Sequence, residues 1–208
     1  MARGRFITLE GGEGVGKSTQ ATRLAEALRA RGADVRETRE PGGSPGAEAI
    51  RALLLDGAGD RWTPRAEALL FAAARADHVA RTIRPALEAG KWVLCDRYID
   101  SSLAYQGGAD GLGDDAILLL HSVGSEALMP DRTLLLCLPA PEAAQRAGLR
   151  DRSGADRFGA RDADYHERVA AAFESIAVNE PERFRRIDAL GTADEVTGRL
   201  VAALEDLL

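Results

Sequence analysis

The sequence is poor in the residues that most metal and disulfide chemistry requires. Two cysteines, Cys95 and Cys137, and three histidines, His78, His121 and His166, are all that 208 residues contain. They share no ligand spacing, and both cysteines lie inside apolar runs. Zinc chemistry and a disulfide framework are therefore not expected, and the cysteines read as buried strand residues. No apolar run approaches the roughly 18 residues needed to span a bilayer. No G-x-S-x-G elbow is present, which excludes serine hydrolases built on one. The single asparagine, Asn179, lies in Val178-Asn179-Glu180-Pro181, so the N-K-x-D signature of guanine-recognising GTPases is missing. Positive charge is also short: the net charge is −6. Broad attraction to nucleic acid or to an anionic membrane is not expected, and any anion site must be assembled locally from clustered arginines. Repeats, low-complexity tracts and linkers are absent. The length fits one domain over residues 1–208 with room for a small mobile insertion. The first strand begins within about five residues of Met1, leaving no space for a signal peptide, and a cytoplasmic location is expected.

What the chain does have is Gly11-Gly12-Glu13-Gly14-Val15-Gly16-Lys17-Ser18. This reads G-x-x-x-x-G-K-[ST], the phosphate-binding P-loop. Glycines let a loop turn tightly round an anion with successive N–H groups pointing inward. Lys17 adds a positive charge for the β- and γ-phosphates, and the Ser18 hydroxyl suits Mg²⁺. The flanks agree with the motif. Arg5 to Glu10 is short, apolar and β-prone, as a buried parallel strand is, and Ser18 to Arg31 has helical spacing without Gly or Pro. The following helix turns its positive dipole end toward the same phosphates.

Further along, Ala33 to Arg39 reads as a second strand, stopped by Pro41, Gly42 and Gly43, with a helix from Gly46 to Leu55. Thr63-Pro64 looks like an N-cap with Pro at the first helical position. The helix it opens should run to about Gly90, interrupted near Pro85. Leu69, Ala73, Ala76, Ala80, Ile83 and Leu87 trace its expected core stripe. Phe71, Arg75 and His78 fall on another face. On spacing alone that face reads as an amphipathic edge with a snorkelling arginine. Lys91 to Asp96 is the third strand, and an acid ending it is positioned to hold the Mg²⁺ hydration shell. Arg97, Tyr98, Ser101, Ser102, Tyr105 and Gln106 follow as a dense hydrogen-bonding run. A helix is expected over 114–128, a fourth strand over Arg132 to Leu138, and another helix from Pro141. Residues 146–161, with Arg146, Arg150, Arg152, Arg157 and Arg161 among glycines, read as a lid that closes over phosphates. A helix over Asp164 to Val178, an edge strand over Phe184 to Ala189 and a capping box at Thr192 and Glu195 complete the chain. Five strands alternating with helices define a doubly wound parallel sheet of the P-loop NTPase kind, with helices on both faces.

Arginines at strand ends and in the lid (Arg39, Arg97, Arg150, Arg152, Arg157) point to a second anion beside the triphosphate. That is the requirement of a kinase with a phosphorylated acceptor. A non-catalytic ATP-binding module has no need of such a clamp.

Taken together, Phe6 to Thr19, Thr38-Arg39-Glu40-Pro41-Gly42-Gly43, Phe71-x-x-x-Arg75, Asp96-Arg97-Tyr98, Ser101-Ser102-x-Ala104-Tyr105-Gln106-Gly107 and Asp156-Arg157-Phe158 resemble the thymidylate kinases. The resemblance implies transfer of the γ-phosphoryl group of ATP to dTMP, with Mg²⁺, in a homodimer that binds neither nucleic acid nor membrane. It implies that residues 11–19 hold ATP and that Glu13 faces the acceptor's 3′-hydroxyl. Arg39 and Arg97 would hold the acceptor phosphate, with Ser101 beside them. Phe71 would stack on thymine, Arg75 donate to its O4, Gln106 face the base edge and Tyr105 crowd the 2′ position. Lys17, Arg39, Arg97, Arg150, Arg152 and Arg157 would act on the reacting phosphates, and Ser18 and Asp96 on the metal. Of the family's two variants, the arginine-rich lid fits better than an arginine in the P-loop, because Gly14 and Val15 stand where that arginine could sit. Gly159 departs from the acid that commonly follows the lid's Asp-Arg-Phe. Another nucleotide or nucleoside kinase, for instance one accepting dUMP, is the alternative.

Overall fold

The computed structural model describes residues 3–57, 60–150, 157–159 and 161–208, with Ala147, Leu149 and Arg150 described by their backbone alone. Arg152, Asp156 and the Arg150 side chain, all assigned to the lid from sequence, lie outside the described residues.

Five strands form one sheet: β1 (Phe6–Glu10), β2 (Val35–Arg39), β3 (Trp92–Asp96), β4 (Arg132–Cys137) and β5 (Phe184–Asp188), in the order β2-β3-β1-β4-β5. Every pairing is parallel, so all five strands end on the same edge of the sheet. β1 is central, and the chain crosses from one side of it to the other between β3 and β4. In such sheets ligands bind outside the carboxyl ends, where the strand order switches. Those ends carry Gly11 after β1, Arg39 on β2 and Asp96 on β3.

Each face of the sheet has its own core. Ile7, Leu9, Leu94, Leu134, Leu136 and Ile187 pack with Leu24 and Leu28 of α1 (Lys17–Ala30) and with Val196 and Leu200 of α9 (Ala193–Ala202). Phe6, Val93, Cys95, Leu135 and Phe184 point the other way, as the two-residue period of a strand requires. There they meet the helices between β2 and β3 and between β3 and β5. These helices are α2 (Pro45–Leu55), α3 (Pro64–His78), α4 (Arg84–Glu88), α5 (Ile99–Ser102), α6 (Asp114–Ser125) and α8 (Ala163–Asn179), while α7 (Ala140–Arg150) follows β4. Truncating a fully buried leucine such as Leu24 costs about 2–5 kcal/mol, a large share of a domain's stability. Both strand cysteines are free; Cys95 is buried as expected, whereas Cys137, at the end of β4, is only partly buried.

Local signals in the sequence act as they should. Thr63 accepts from the Ala66 N–H, and Thr192 and Glu195 form a reciprocal capping box. Pro85 has no N–H to give the preceding turn, and the helix widens to a π segment over Val79–Ile83 just before it.

Three expectations need correction. The apolar stripe on α3 does not face the core: Leu69, Ala73 and Ala80 are exposed, and only Ile83 and Leu87 of that set are buried. The buried residues of α3 include Glu67, Arg75 and His78, each with a buried hydrogen-bonding partner. Apolar periodicity points outward here because the inward face is polar. The helix expected over 114–128 ends at Ser125, and of Ile117 to Leu120 only Ile117 is buried. Arg146 and Arg150, read from sequence as the start of the lid segment, lie on α7.

Candidate active site

The loop after β1 brings its own lysine back onto itself. Gly16 takes φ +92° as the cap of α1, and the Nζ of Lys17 donates to the carbonyls of Gly11 at 3.0 Å and Gly12 at 2.6 Å. Gly11 itself has φ +136°, and a Cβ there would stand 2.5 Å from the Leu136 carbonyl oxygen. Val15 contributes its backbone to the loop and buries its side chain in the core beneath α1. Burial, with Arg97 nearby as the next cause, pushes Lys17 down to about 8. An anion entering the loop favours the charged form and pushes this value back up.

Asp96 ends β3 beside the P-loop strand, and its Oδ2 accepts from Ser18 Oγ at 2.6 Å. Its Oδ1 is buried without a hydrogen-bond partner. A hydroxyl and an under-used carboxylate oxygen are the hard oxygen donors that Mg²⁺ takes. Among the described residues no group of three His, Cys, Asp or Glu side chains could hold a metal alone.

Arg97 follows Asp96 with φ +68°, a conformation uncommon for a residue with a side chain and common at functional turns. It donates to Glu13 Oε1 at 2.5 Å, to the Gly11 carbonyl at 3.1 Å and to Ser101 Oγ at 3.2 Å. Tyr105 Oη donates to the same Glu13 oxygen at 3.3 Å. The turn is anchored by Glu10, fully buried at the end of β1. That carboxyl group accepts from the N–H of Tyr98 at 2.7 Å and from Ser101 Oγ at 2.6 Å. Burial, then the charge of Asp100, push Glu10 up to about 8.

Arg75 lies 3% exposed on the inner side of α3. Glu40 holds its Nε at 2.8 Å, while Nη2 donates to Ser102 Oγ at 2.8 Å and to the Tyr98 carbonyl at 3.3 Å. Glu40 is held in turn by Nδ1 of His78 at 3.0 Å, and Nε2 of His78 meets Thr38 Oγ1 at 2.6 Å. Burial works against the Glu40 charge, but Arg75 and His78 hold the carboxyl below its usual range. Gly43, at φ +84°, leaves room for this chain: a Cβ there would lie 2.4 Å from both His78 Nε2 and Thr38 Oγ1.

These groups line one cavity of about 360 Å³, in which the P-loop residues Glu13, Gly14, Gly16, Lys17, Ser18 and Thr19 share walls with Asp96, Arg97, Arg39, Phe71, Arg75, Ser101, Tyr105 and Gln106. Tyr105 and Gln106 both belong to a π segment, Leu103–Ala109. Arg39 reaches the cavity while paired with both Glu48 oxygens at 3.1 Å. Arg157 does not line the cavity. It is buried against Glu67, whose other oxygen accepts from Gln106 Nε2 at 3.0 Å. Burial raises the Glu67 carboxyl, with Gln106 and Arg157 opposing it. Glu10, Glu40, His78 and Glu67 carried no assigned part in the sequence reading, because buried acids and their partners leave no local spacing. Arg51, Arg146 and Ser102 also line the cavity; Arg51 donates to the Pro41 carbonyl at 2.6 Å and Arg146 to the Ala189 carbonyl at 3.3 Å.

A triphosphate loop on the central strand, opening into a cavity with its own arginines and an aromatic wall, is the arrangement of a P-loop phosphotransferase. The chain belongs to the thymidylate kinase family, whose profile matches residues 9–199. It is 68% identical over 205 residues to the thymidylate kinase of Rhizorhabdus wittichii, covering 99% of both chains. It is 50% identical over 208 residues to that of Caulobacter vibrioides, covering all of this chain and 97% of that one. The crystal structure of thymidylate kinase from Ehrlichia chaffeensis is similar with a TM-score of 0.78 at 29% identity, covering 98% of this chain and all of the other.

Proposed function

We propose that this cavity holds ATP by its phosphates on the P-loop and dTMP among the arginines and aromatics, and that the γ-phosphoryl group passes between them to give dTDP. The reaction is that of the family. The observation that carries the assignment of residues is the single cavity that Lys17 and Ser18 share with Phe71, Arg75 and Gln106.

The N–H groups of Gly11 to Thr19 and the Lys17 ammonium take the ATP phosphates. Arg97 releases Glu13 and Arg39 releases Glu48 to bind the acceptor phosphate, leaving Glu13 for the sugar's 3′-hydroxyl. Ser101 stays with Arg97. Phe71 faces the thymine ring, and Arg75 donates to O4. Arginine cannot accept a hydrogen bond, so the amino group that cytosine presents there is left unpaired. Gln106 meets the base edge and Tyr105 the sugar.

A phosphate monoester has its second pKa near 6 and is already mostly a dianion at neutral pH, so the chain needs no strong general base. What it must overcome is repulsion between two anions. Lys17, Arg39 and Arg97 do so from fixed positions, and the lid arginines Arg150 and Arg152 complete the charge when water is excluded. Ser18 and Asp96 would hold Mg²⁺, which neutralises phosphate charge and helps align the in-line transfer when bound. A steady-state assay of ADP release with dTMP, ATP and Mg²⁺ tests the reading; absence of dTMP-dependent turnover overturns it.

We also assign a homodimer. α3 and α6 pack together, and each carries exposed apolar side chains: Leu69 at 57%, Leu119 at 65% and Val123 at 80%. Leucine and valine this open on adjoining helices are what a partner surface covers. Sedimentation of the protein, with Val123→Asp shifting dimer to monomer, is the check. Among the described residues no helix is long and apolar enough to cross a membrane. The substrates and the free cysteines suit the cytoplasm.

A further inference from the structure

Glu67 sits in the first turn of α3, 1% exposed, and its two oxygens are taken by different elements. Oε1 accepts from Nε2 of Gln106 at 3.0 Å, and Oε2 accepts from Nη2 of Arg157. Phe158, next to Arg157, stands edge-on to Phe71 with ring centroids 5.6 Å apart and to Tyr105 at 6.2 Å. Glu67 faces a guanidinium, a donor only, with Oε2 and presents Oε1 as an acceptor. It therefore permits one orientation of the Gln106 amide, with Nε2 toward Glu67, so Oε1 is the polar atom left for the cavity that Gln106 lines. Thymine carries a hydrogen on N3, where cytosine has a bare acceptor. A fixed carbonyl favours the first and repels the second.

We propose that Glu67 is a positioning residue for base selection. It locks the Gln106 amide so that the cavity presents an acceptor to N3, and by holding Arg157 it keeps Phe158 against the aromatic wall. The proposal rests on the dTMP reading and on Gln106 meeting the base edge. It adds a mechanism by which one buried carboxylate sets the polarity of that edge and ties it to the segment carrying Arg157. A site whose polarity is fixed rejects a mismatched base through the partners it leaves unpaired.

Glu67→Gln tests this, because a glutamine at 67 keeps the shape but offers both a donor and an acceptor, freeing Gln106 to turn over. kcat/KM for dTMP, dUMP and dCMP is measured at saturating ATP in the wild type, Glu67→Gln, Gln106→Leu and the double variant. The dTMP-to-dCMP ratio should fall about tenfold in Glu67→Gln, the size of one misplaced hydrogen bond. The dTMP-to-dUMP ratio should hold, since both bases share N3–H and O4. Adding Glu67→Gln to Gln106→Leu should leave the ratio where Gln106→Leu alone puts it. An unchanged ratio in an active Glu67→Gln enzyme, or the same fall in both backgrounds, overturns the proposal. A wild type that does not use dTMP overturns instead the reading beneath it. Should Glu67→Gln fail to fold, the wild-type side-chain amide of Gln106, identified by its loss from the NMR spectrum of Gln106→Leu, decides. One proton shifted downfield and slow to exchange supports the lock; two ordinary, fast-exchanging signals overturn it.

Discussion

Arg97 spans the gap between the end of β3 and the P-loop to meet Glu13 at 2.5 Å. Two halves of the cavity are thereby joined by an ion pair whose side chains are 18% and 13% exposed. On the reading proposed above, an arginine held so close to the P-loop exchanges one carboxylate for an incoming phosphate at little cost in reorganisation. Arg97→Ala should therefore lower kcat with dTMP about a thousandfold, the scale of an arginine acting on a transferring phosphoryl group. ATP binding, followed by calorimetry, should change little. Retained turnover would move the acceptor site elsewhere.

Lys17 gives a prediction about pH. Its pKa falls from 10.5 to about 8 on folding, so between those values the folded chain holds fewer protons than the unfolded one. The charge costs the free protein stability below pH 8, and the cost fades as pH rises from 8 toward 10.5. That gap corresponds to about 3 kcal/mol. Lys17→Met should raise the melting temperature of the free protein at pH 7, with the advantage shrinking toward pH 10. ATP binding at pH 9 should take up protons, read by calorimetry in buffers of different ionisation enthalpy. No uptake would mean Lys17 is charged throughout.

Glu40 behaves in the opposite sense. Its folded pKa lies below 4.5, so its contribution is complete above the unfolded value and is lost as pH falls through the folded one. Glu40→Gln strands the Arg75 charge in a buried site and should cost about 3–5 kcal/mol at pH 7 in urea unfolding. The variant should also lose part of the wild type's acid sensitivity below pH 4.5. A cost under about 1 kcal/mol would mean Arg75 finds another partner.

Asp96 offers a fourth test. With Oδ2 on Ser18 and Oδ1 buried without a partner, Asp96→Asn should raise the Mg²⁺ concentration needed for half-maximal rate about ten- to a hundredfold. An unchanged Mg²⁺ dependence would remove Asp96 from the metal's surroundings.

The sheet and the donor half of the site were legible because their signals are local. Strand, glycine loop and helix follow one another around Lys17, and Asp96 closes a contiguous apolar run. That Arg39, Phe71, Arg75 and Gln106 share the cavity with the P-loop followed from the resemblance and poorly from pattern. Arg75 on α3 looked like a helix-edge residue because no spacing rule links position 75 to Glu40 or Ser102. For the same reason the stripe through Leu69 and Ala73 was placed inside. Apolar periodicity finds the buried face only where that face is apolar, and on α3 it holds Glu67, Arg75 and His78. The π segments are a further case: Pro85 signals one, whereas nothing in Leu103 to Ala109 announces the wide turn that carries Tyr105 and Gln106 together.

The most direct test of the whole reading is the ranking of acceptors. With ATP and Mg²⁺ saturating, kcat/KM is measured for dTMP, dUMP, dCMP, AMP and GMP. Arg75 and Gln106 facing a pyrimidine edge predict that dTMP and dUMP, which share O4 and N3–H, both stand far ahead of dCMP; the family's reaction puts dTMP before dUMP, and the purine nucleotides are excluded by size. A best rate with any acceptor other than dTMP contradicts it.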